Sequence, residues 1–348
     1  MREERLDSLR LYCNLMIVLV HAYPFMYAVN QTWELHSLAF ISLFFACSVL
    51  PTLFFLSGYF LFTGYTLEGY WTKLKKRIRR LAVPYVLWNV LKIVIFLAVG
   101  LVSSHAMSTC RKMGVDTWAG WFDHILNVTD RPFNGPTWYL RALFLYVVAS
   151  PAVYVVFARK KSVPLKVLAL LLLAFIGPYV FTDQNKYPTY SFVAFALGGW
   201  CGLAQVNPVK CGWTRGVFVR CFGFAGIVVP FAVSLVNPDF NRASHLGTMC
   251  SLITILFYFS FAEEIHMLLN HQWVREILLS GAFFVYCGHI IVNSFLMHGI
   301  GAVTPAFPGR SLFIAGVLFP SVLALSYMGY FAMRKLCPRV CSVLNGEL

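Results

Sequence analysis

Long apolar runs separated by short polar segments dominate the hydrophobicity pattern of this chain. Each run is about 20 residues long, which is the length of a helix that crosses the hydrocarbon core of a membrane. The pattern predicts an all-α fold, with residues 1–348 forming one transmembrane domain built as a bundle of about ten membrane-spanning helices. The predicted spans are centred near Leu19, Leu50, Val94, Tyr146, Leu171, Ala196, Val228, Thr254, Val292 and Val322.

The composition supports a membrane protein and excludes an ordinary soluble domain. Hydrophobic residues make up 59% of the chain and charged residues only 12%, with a mean hydropathy of +0.70. A soluble fold typically has about a quarter of its residues charged, and so few charges cannot cover this much apolar surface. We therefore expect the lipid bilayer to be a partner of the chain.

The net charge of +14 would suggest a nucleic-acid partner in a soluble protein, but here the positions of the charges give another explanation. Most Lys and Arg residues lie in alternate connecting segments, above all between Thr63 and Leu81. Cytoplasmic loops of membrane proteins are enriched in these residues. The distribution predicts a multi-pass protein of the cell membrane with both termini in the cytoplasm and no nucleic-acid partner. The ten Cys residues form no CxxC pair and no zinc spacing, so we expect no metal site.

Two basic side chains stand on the first apolar run, "RLYCNLMIVLVHAYPF", at Arg10 and His21. Helical residues turn by about 100° each, so a step of eleven residues leaves both side chains on one face, roughly 16 Å apart along the axis. Ionisable residues inside membrane segments often mark function. The alternative is an Arg side chain that extends to the interface and a His that is hydrogen-bonded to a neighbouring helix.

The second run and the basic segment after it contain further candidates. Ser57 and Gly58 interrupt the aromatic stretch "PTLFFLSGYFLFTG", where they form either a packing notch or part of a site. In "KKRIRRLAVPY", Arg77 and Arg80 are about one helical turn apart, and two guanidinium groups so placed suit phosphate binding. These arginines also fit a role in orienting the protein in the membrane, and both roles can hold together.

Two later stretches place polar residues at or inside predicted spans. In "RPFNGPTWYLRALFLY", Trp138 and Tyr139 are typical of anchors at the membrane interface, whereas Arg141 lies just inside the span. In "AFFVYCGHIIVNSF", His289 lies inside the ninth span. A packed, hydrogen-bonded histidine is the alternative to a functional one.

Together these stretches resemble the acyltransferase-3 family of integral membrane acyltransferases, which O-acylate carbohydrates and related acceptors. The resemblance covers essentially the whole chain. It depends on the Arg10-x10-His21 pattern, "FFLSGYF", the Arg77-x-x-Arg80 segment followed by "PY", "GPTWYL" and "VYCGH", all in the family's order. It implies a ten-helix bundle that moves an acyl group, usually acetyl, from cytoplasmic acyl-CoA to a hydroxyl of a sugar or glycan.

The resemblance also implies roles for individual residues. An alcohol that attacks a thioester must lose a proton, and His is the side chain best suited to accept it near neutral pH. We therefore expect His21 to act as general base or as an acyl-accepting nucleophile, and Arg10 to orient the donor. Arg77 and Arg80 are candidates for binding the phosphates of CoA, which is a substrate, so no bound cofactor is expected. The candidates for acceptor binding or cavity lining are Ser57, Trp138, Tyr139, Arg141 and His289.

Two features of the expected mechanism stay open at this point. The sequence offers His21 no carboxylate partner, because Asp7 lies too far toward the cytoplasm, so a partner must come from another helix or the base works alone. Some relatives carry an extra esterase-like domain outside the membrane. This sequence has no room for one, so the membrane domain itself would transfer the group or pass it to another protein.

Two other classes of function compete with the enzyme. A membrane transporter of a polar or acylated glycan precursor would line its path with the same Arg and His residues, but such proteins often show paired inverted halves, and none is evident here. An acyl-sensing or scaffold protein that has lost catalysis is the third interpretation, and the retention of Arg10 and His21 argues against it. The acceptor, the acyl chain length and the oligomeric state are not specified by the sequence.

Overall fold

The computed structural model describes residues 3–24, 32–42, 48–126, 132–158, 162–180, 189–211, 216–237 and 244–347. In this part of the chain every regular element is a helix, so the all-α prediction is confirmed.

The α-helices are numbered in chain order, and two short segments of other helix types join them. A π-helical segment, Ile78–Ala82, connects α4 with α5, and a 3-10 turn, Gly135–Thr137, precedes α8. The α-helices are α1 Glu4–His21, α2 Thr32–Ser42, α3 Ser48–Phe62, α4 Tyr70–Arg77, α5 Val83–Gly100, α6 Ser104–Lys112, α7 Trp118–Leu126, α8 Trp138–Val148, α9 Ser150–Phe157, α10 Val163–Val180, α11 Thr189–Ala204, α12 Val217–Val236, α13 His245–Ser260, α14 Ala262–Leu268, α15 Gln272–Val303, α16 Arg310–Leu336 and α17 Pro338–Leu344.

The described helices include four that are long and apolar enough to cross a membrane, namely Tyr70–Gly100, Val217–Val236, Val274–Val303 and Arg310–Leu336. Two further helix pairs qualify if each counts as one span, but each is bent, by 58° between α8 and α9 and by 56° between α13 and α14. The prediction of about ten spans is therefore not confirmed. Three other predicted spans correspond to shorter apolar helices, Ser48–Phe62, Val163–Ile176 and Thr189–Ala204.

The helix of the first predicted span differs from the expectation in where it begins and ends. It begins before the predicted run, and its first turns carry Glu4, Arg5 and Asp7 in addition to Arg10. His21 is the last residue of α1 and is not in its middle. The helix stops there because Pro24 follows closely, and the residue before a proline disfavours the helical conformation.

The crossing of α3 and α11 is unusually close and fixes the position of Ser57. A Cβ atom added to Gly58 would lie 2.0 Å from the backbone oxygen of Phe195, and one added to Gly198 would lie 2.0 Å from that of Phe55. Small residues at a helix crossing allow the backbones to approach each other in this way. Gly58 is therefore a packing notch, which is one of the two roles that the sequence suggested for this pair. The Ser57 side chain does not face this crossing.

The N-terminal end of α1 is held by ion pairs. Arg5 contacts Glu3 at 2.8 Å and Glu263 at 3.0 Å, and Arg275 contacts Glu4 at 2.8 Å. The hydrogen bond from Arg5 lowers the pKa of Glu3, which keeps this carboxylate charged. Further along, α1 packs against α3, α14, α15 and α16, so its inward face is fixed along its length.

The π-helical segment changes the directions of the two candidate donor arginines. Arg77 is the last residue of α4 and Arg80 lies within Ile78–Ala82, so the chain between them winds more widely than an α-helix. A three-residue step through this wider winding separates the two side chains by a larger angle around the axis than in an α-helix. Insertions of this kind are frequent at functional sites.

Gly58→Ala is expected to destabilise the protein by about 1–3 kcal/mol, since the new methyl group would meet a backbone oxygen that cannot move away without shifting α11. Gly316→Ala in α16 is the matched control, because a Cβ there meets no atom within 4 Å. Thermal unfolding of the two purified variants in detergent measures the difference. Equal stability of the two variants would contradict the close crossing.

Candidate active site

A cavity of about 390 Å³ lies among α1, α3, α8, α15 and the π-helical segment. It brings together four of the residues singled out in the sequence, Arg10, Ser57, Arg77 and Tyr139. The rest of its wall is largely apolar. The other polar side chains that line it are Asp7, Asn14 and Tyr286.

The charge in this cavity is mainly positive. Arg10 and Arg77 both line it, and neither forms an ion pair with a carboxylate among the residues that the structure describes. Asp7 is the one acidic residue in the lining. Arg10 is exposed and Arg77 is half-buried, so both guanidinium groups can meet a ligand that enters the cavity. The cavity is therefore suited to an anionic ligand.

Opposite these arginines, Ser57 and Tyr139 form a hydroxyl pair. Their oxygen atoms are 2.8 Å apart, and the Tyr139 hydroxyl also lies 3.4 Å from the Leu53 carbonyl oxygen. The Tyr139 ring packs against Phe54 at 4.6 Å and Tyr286 at 5.9 Å between centroids. This packing holds the hydroxyl pair in place at the wall of the cavity.

A second, more basic cavity of about 200 Å³ adjoins the first. Phe60, Leu61 and Arg77 line both cavities, so Arg77 stands between them. The second cavity adds three further cations, Lys73, Lys76 and Arg80. Four positive side chains around one opening form a site for a ligand with several negative charges.

His21 lies at the end of α1, in direct contact with His289 of α15. The Nδ1 atom of His21 is 2.7 Å from the Ile17 carbonyl oxygen and 3.2 Å from Nε2 of His289. The Nδ1 atom of His289 is 2.7 Å from the Tyr286 carbonyl oxygen and 3.1 Å from that of Val285. The histidine partner that the sequence left open thus comes from another helix and is an imidazole instead of a carboxylate.

The backbone carbonyls assign the tautomers of both rings. A carbonyl oxygen only accepts hydrogen bonds, so Nδ1 of each histidine carries the hydrogen in the neutral pair. The single Nδ1–H of His21 is then shared between the Ile17 carbonyl oxygen at 2.7 Å and Nε2 of His289 at 3.2 Å, and Nε2 of His21 carries a lone pair. A neutral imidazole nitrogen of this kind can accept a proton. Among the described residues no group of His, Cys, Asp and Glu is placed to hold a metal ion.

Asn293 fixes the same end of α1 from a second point on α15. Its Nδ2 atom donates to the carbonyl oxygen of His21 at 2.8 Å. Asn293 is buried and follows His289 by one helical turn, so both side chains lie on one face of α15. The sequence analysis missed Asn293, although its spacing from His289 inside an apolar run was a usable signal.

A buried lysine lies close to this histidine pair. Lys92 is only 8% exposed, donates to the Phe133 carbonyl oxygen at 2.9 Å and lies over the rings of Phe96 and Phe133. It is near enough to His21 and His289 to interact with both electrostatically. A cation buried in an apolar run is a signal for function that the sequence itself offers.

The segment before α8 is tied to α15 just beside His289. Asn134 donates through Nδ2 to the Cys287 carbonyl oxygen at 2.9 Å, and its backbone N–H donates to Oδ1 of Asn89 at 2.8 Å. Asn89 in turn donates to Thr137 at 3.0 Å. This buried network explains the position of the "NGPT" turn, which fixes where Tyr139 enters the cavity.

The cavity and the histidine pair are neighbours but do not share one open space. The eleven-residue spacing predicted that Arg10 and His21 share one face of the helix and would lead us to expect one cavity for both, whereas the cavity extends along α1 only as far as Asn14. Beyond it lies a gap too narrow for water, lined by Leu15, Val18 and Val285 among others. Tyr286 joins the two regions, because its side chain lines the cavity and its carbonyl accepts from His289.

Trp138 and Arg141 do not line this cavity. Arg141 follows Tyr139 by two residues, which is more than half a helical turn, so it faces away from the side that Tyr139 presents. The Arg141 side chain is buried within the bundle, while Trp138 packs against Phe54 with centroids 5.9 Å apart. Arg80 lines only the second cavity, and His289 contacts His21 from outside the first.

Comparison with known proteins gives two findings. Residues 3–330 match the model of the family described as "Acyltransferase domain". The succinoglycan biosynthesis protein ExoH of Rhizobium meliloti (strain 1021) is 25% identical over 311 residues, which cover 85% of this chain and 78% of that protein. No solved structure matches the chain. Because the family model matches nearly the whole chain, including every residue of the site, the protein belongs to the acyltransferase-3 family.

Proposed function

We propose that the protein is a membrane-embedded O-acyltransferase that moves an acyl group, acetyl in the first instance, from acyl-CoA to a hydroxyl of a sugar, polysaccharide or other cell-envelope glycan. The observation that carries this proposal is the pairing of Arg10 and Arg77 in one cavity, next to a histidine whose Nε2 lone pair is available. A glycan acceptor is supported by the similarity to a protein named for succinoglycan biosynthesis.

The donor is proposed to enter through the basic cavity. CoA carries several phosphates, and Lys73, Lys76, Arg77 and Arg80 surround an opening of matching charge. Its long pantetheine arm then lies in the first cavity beside Arg10. Arg10 and His21 are roughly 16 Å apart along α1, so an extended arm can bring the thioester toward His21 once the gap past Asn14 opens.

The transfer itself requires one proton acceptor. His21 Nε2 takes the proton of the acceptor hydroxyl while the hydroxyl oxygen attacks the thioester carbonyl, and the C–S bond breaks as the new C–O ester bond is completed. The leaving thiolate then takes the proton from the His21 imidazolium. His289 accepts a hydrogen bond from Nδ1–H of His21 throughout and so holds the ring in the productive orientation.

A relay through His21 uses the same atoms in two steps. Nε2 of His21 first attacks the thioester carbonyl, the C–S bond breaks and CoA leaves as the thiolate, so the ring, which keeps its Nδ1–H, becomes an acyl-imidazolium. The acceptor hydroxyl then attacks the acyl carbon and the bond from that carbon to Nε2 breaks. The hydroxyl proton passes to the released Nε2 and from there to the thiolate, which restores the neutral histidine. The relay allows donor and acceptor to approach His21 from opposite sides, whereas direct attack needs both at once.

The proposed arrangement in the membrane follows the positive charge. The basic cavity and both termini lie in the cytoplasm of a cell whose membrane the chain crosses repeatedly, which places the donor cavity where acyl-CoA is found. Each of the ten predicted runs overlaps one apolar element of the structure. These elements are α1, the four long helices, the two bent pairs and the three shorter apolar helices. A ten-span bundle is the arrangement that uses them all.

Purified protein in liposomes should release CoA thiol from acetyl-CoA in the presence of a glycan acceptor, and His21→Ala should lower this rate about a hundredfold or more. His271→Ala is the control, because that imidazole is exposed at the start of α15. Mass spectrometry of the host's glycans with and without the gene identifies the group and the acceptor. Full activity of the His21→Ala variant would show that His21 takes no part in acyl transfer.

Replacing Arg77 and Arg80 by Ala is expected to raise the KM for acyl-CoA about tenfold or more, because charge-assisted bonds to phosphate are lost, while the KM for the acceptor changes little. The control is the double change Lys75→Ala with Arg79→Ala, which removes two charges from the same segment, because both side chains are exposed and line neither cavity. Steady-state kinetics with both substrates varied separates the effects. An equal donor KM in both variants would mean that Arg77 and Arg80 only orient the protein in the membrane and do not bind the donor.

A further inference from the structure

Asn345, just after α17, bonds to two backbone groups of α15 at once. Its Oδ1 atom accepts from the Phe284 N–H at 3.0 Å, and its Nδ2 atom donates to the Ser280 carbonyl oxygen at 2.9 Å. Residues 280 and 284 are the two members of one i to i+4 pair in the helical hydrogen-bond ladder. A side chain placed in this ladder is a recognised cause of helix bending.

The neighbouring residues hold this contact in place. The Leu344 carbonyl oxygen accepts from Nε1 of Trp88 at 3.0 Å, and the Trp88 ring packs against Phe284 with centroids 4.9 Å apart. A Cβ added to Gly288 would lie 2.9 Å from the same ring, so α5 presses closely on α15 there. Asn345 and Leu344 are both buried, and the segment is not a loose tail.

The stretch of α15 held in this way leads directly into the histidine pair. Phe284 is followed by Val285 and Tyr286, whose carbonyl oxygens hold Nδ1 of His289. His289 then contacts His21. A change in the direction of α15 at Phe284 would therefore move His289 relative to His21.

The same turn also touches the π-helical segment. Gly346 has a φ of +68°, and a Cβ added to it would lie 2.9 Å from the backbone oxygen of Arg80. One short segment thus contacts both the helix of the histidine pair and the segment that carries a donor-site arginine.

We propose that Asn345 is a positioning residue for acyl transfer, and that the segment Pro338–Glu347 sets the geometry between the donor arginines and the His21–His289 pair. Asn345 acts through α15 on the reacting histidine, and Gly346 acts through the Arg80 backbone on the donor. This inference rests on the proposed acyltransferase function.

Asn345→Ala is expected to lower kcat about tenfold or more with little change in the KM for acyl-CoA, because small displacements of a reacting group cost this much. Asn345→Asp keeps an oxygen that accepts from the Phe284 N–H but loses the amide donor. Its kcat should therefore lie between those of the wild type and Asn345→Ala. Gly346→Ala should instead raise the donor KM, since its methyl group meets the Arg80 oxygen. Ser342→Ala, on the same helix, is the matched control and should change neither parameter.

A second measurement does not depend on turnover. NMR spectra of the histidine ring nitrogens, with the His289 signals assigned by their loss in His289→Gln, should change in Asn345→Ala and stay constant in Ser342→Ala. Unchanged His289 signals together with an unchanged kcat would overturn the positioning role. If the wild-type protein transfers no acyl group, the proposed function fails, and the NMR comparison still decides whether Asn345 sets the position of His289.

Discussion

Two guanidinium groups face one cavity inside an apolar helix bundle, and the described residues supply no ion-pair partner for either. Like charges that line one cavity repel each other, so the fold must hold Arg10 and Arg77 in place by other means. The ion pairs at the start of α1 and the continuous helix through the π-helical segment do this. Under the proposed function, a polyanionic donor would offset this repulsion.

His21, the proposed proton acceptor, depends on a different set of interactions. His21 ends its helix, where a backbone is normally mobile, yet His289 and Asn293 of α15 bond its ring and its carbonyl. The position of α15 is in turn fixed by Asn134 and Asn345 through two backbone carbonyls and one N–H. The proposed donor cavity and the proposed proton acceptor thus depend on separate networks that meet at Tyr286, whose side chain lines the cavity and whose carbonyl holds His289.

The sequence allowed the all-α class and part of the site to be predicted, because both depend on local pattern. Helical periodicity places Arg10 and His21 on one face, and the order of the short stretches gathers Ser57, Arg77 and Tyr139 as candidates. The local sequence pattern could not show that α1 ends at His21, that two predicted spans bend, or that Arg141 turns away from Tyr139. Asn293 and Asn345 are polar residues whose partners lie far along the chain, and no local pattern gives such contacts.

The central claim is that the basic cavity and the histidine pair act on one donor molecule. A structure of the protein with a non-hydrolysable acyl-CoA thioether, determined by electron cryomicroscopy in a lipid nanodisc, tests it most directly. The account predicts phosphates against Arg77 and Arg80, the pantetheine arm passing Arg10 and Tyr286, and the sulfur atom next to Nε2 of His21. An arm that leaves Arg77 in another direction, with His21 and His289 still in contact and no ligand between Val18 and Val285, would contradict it.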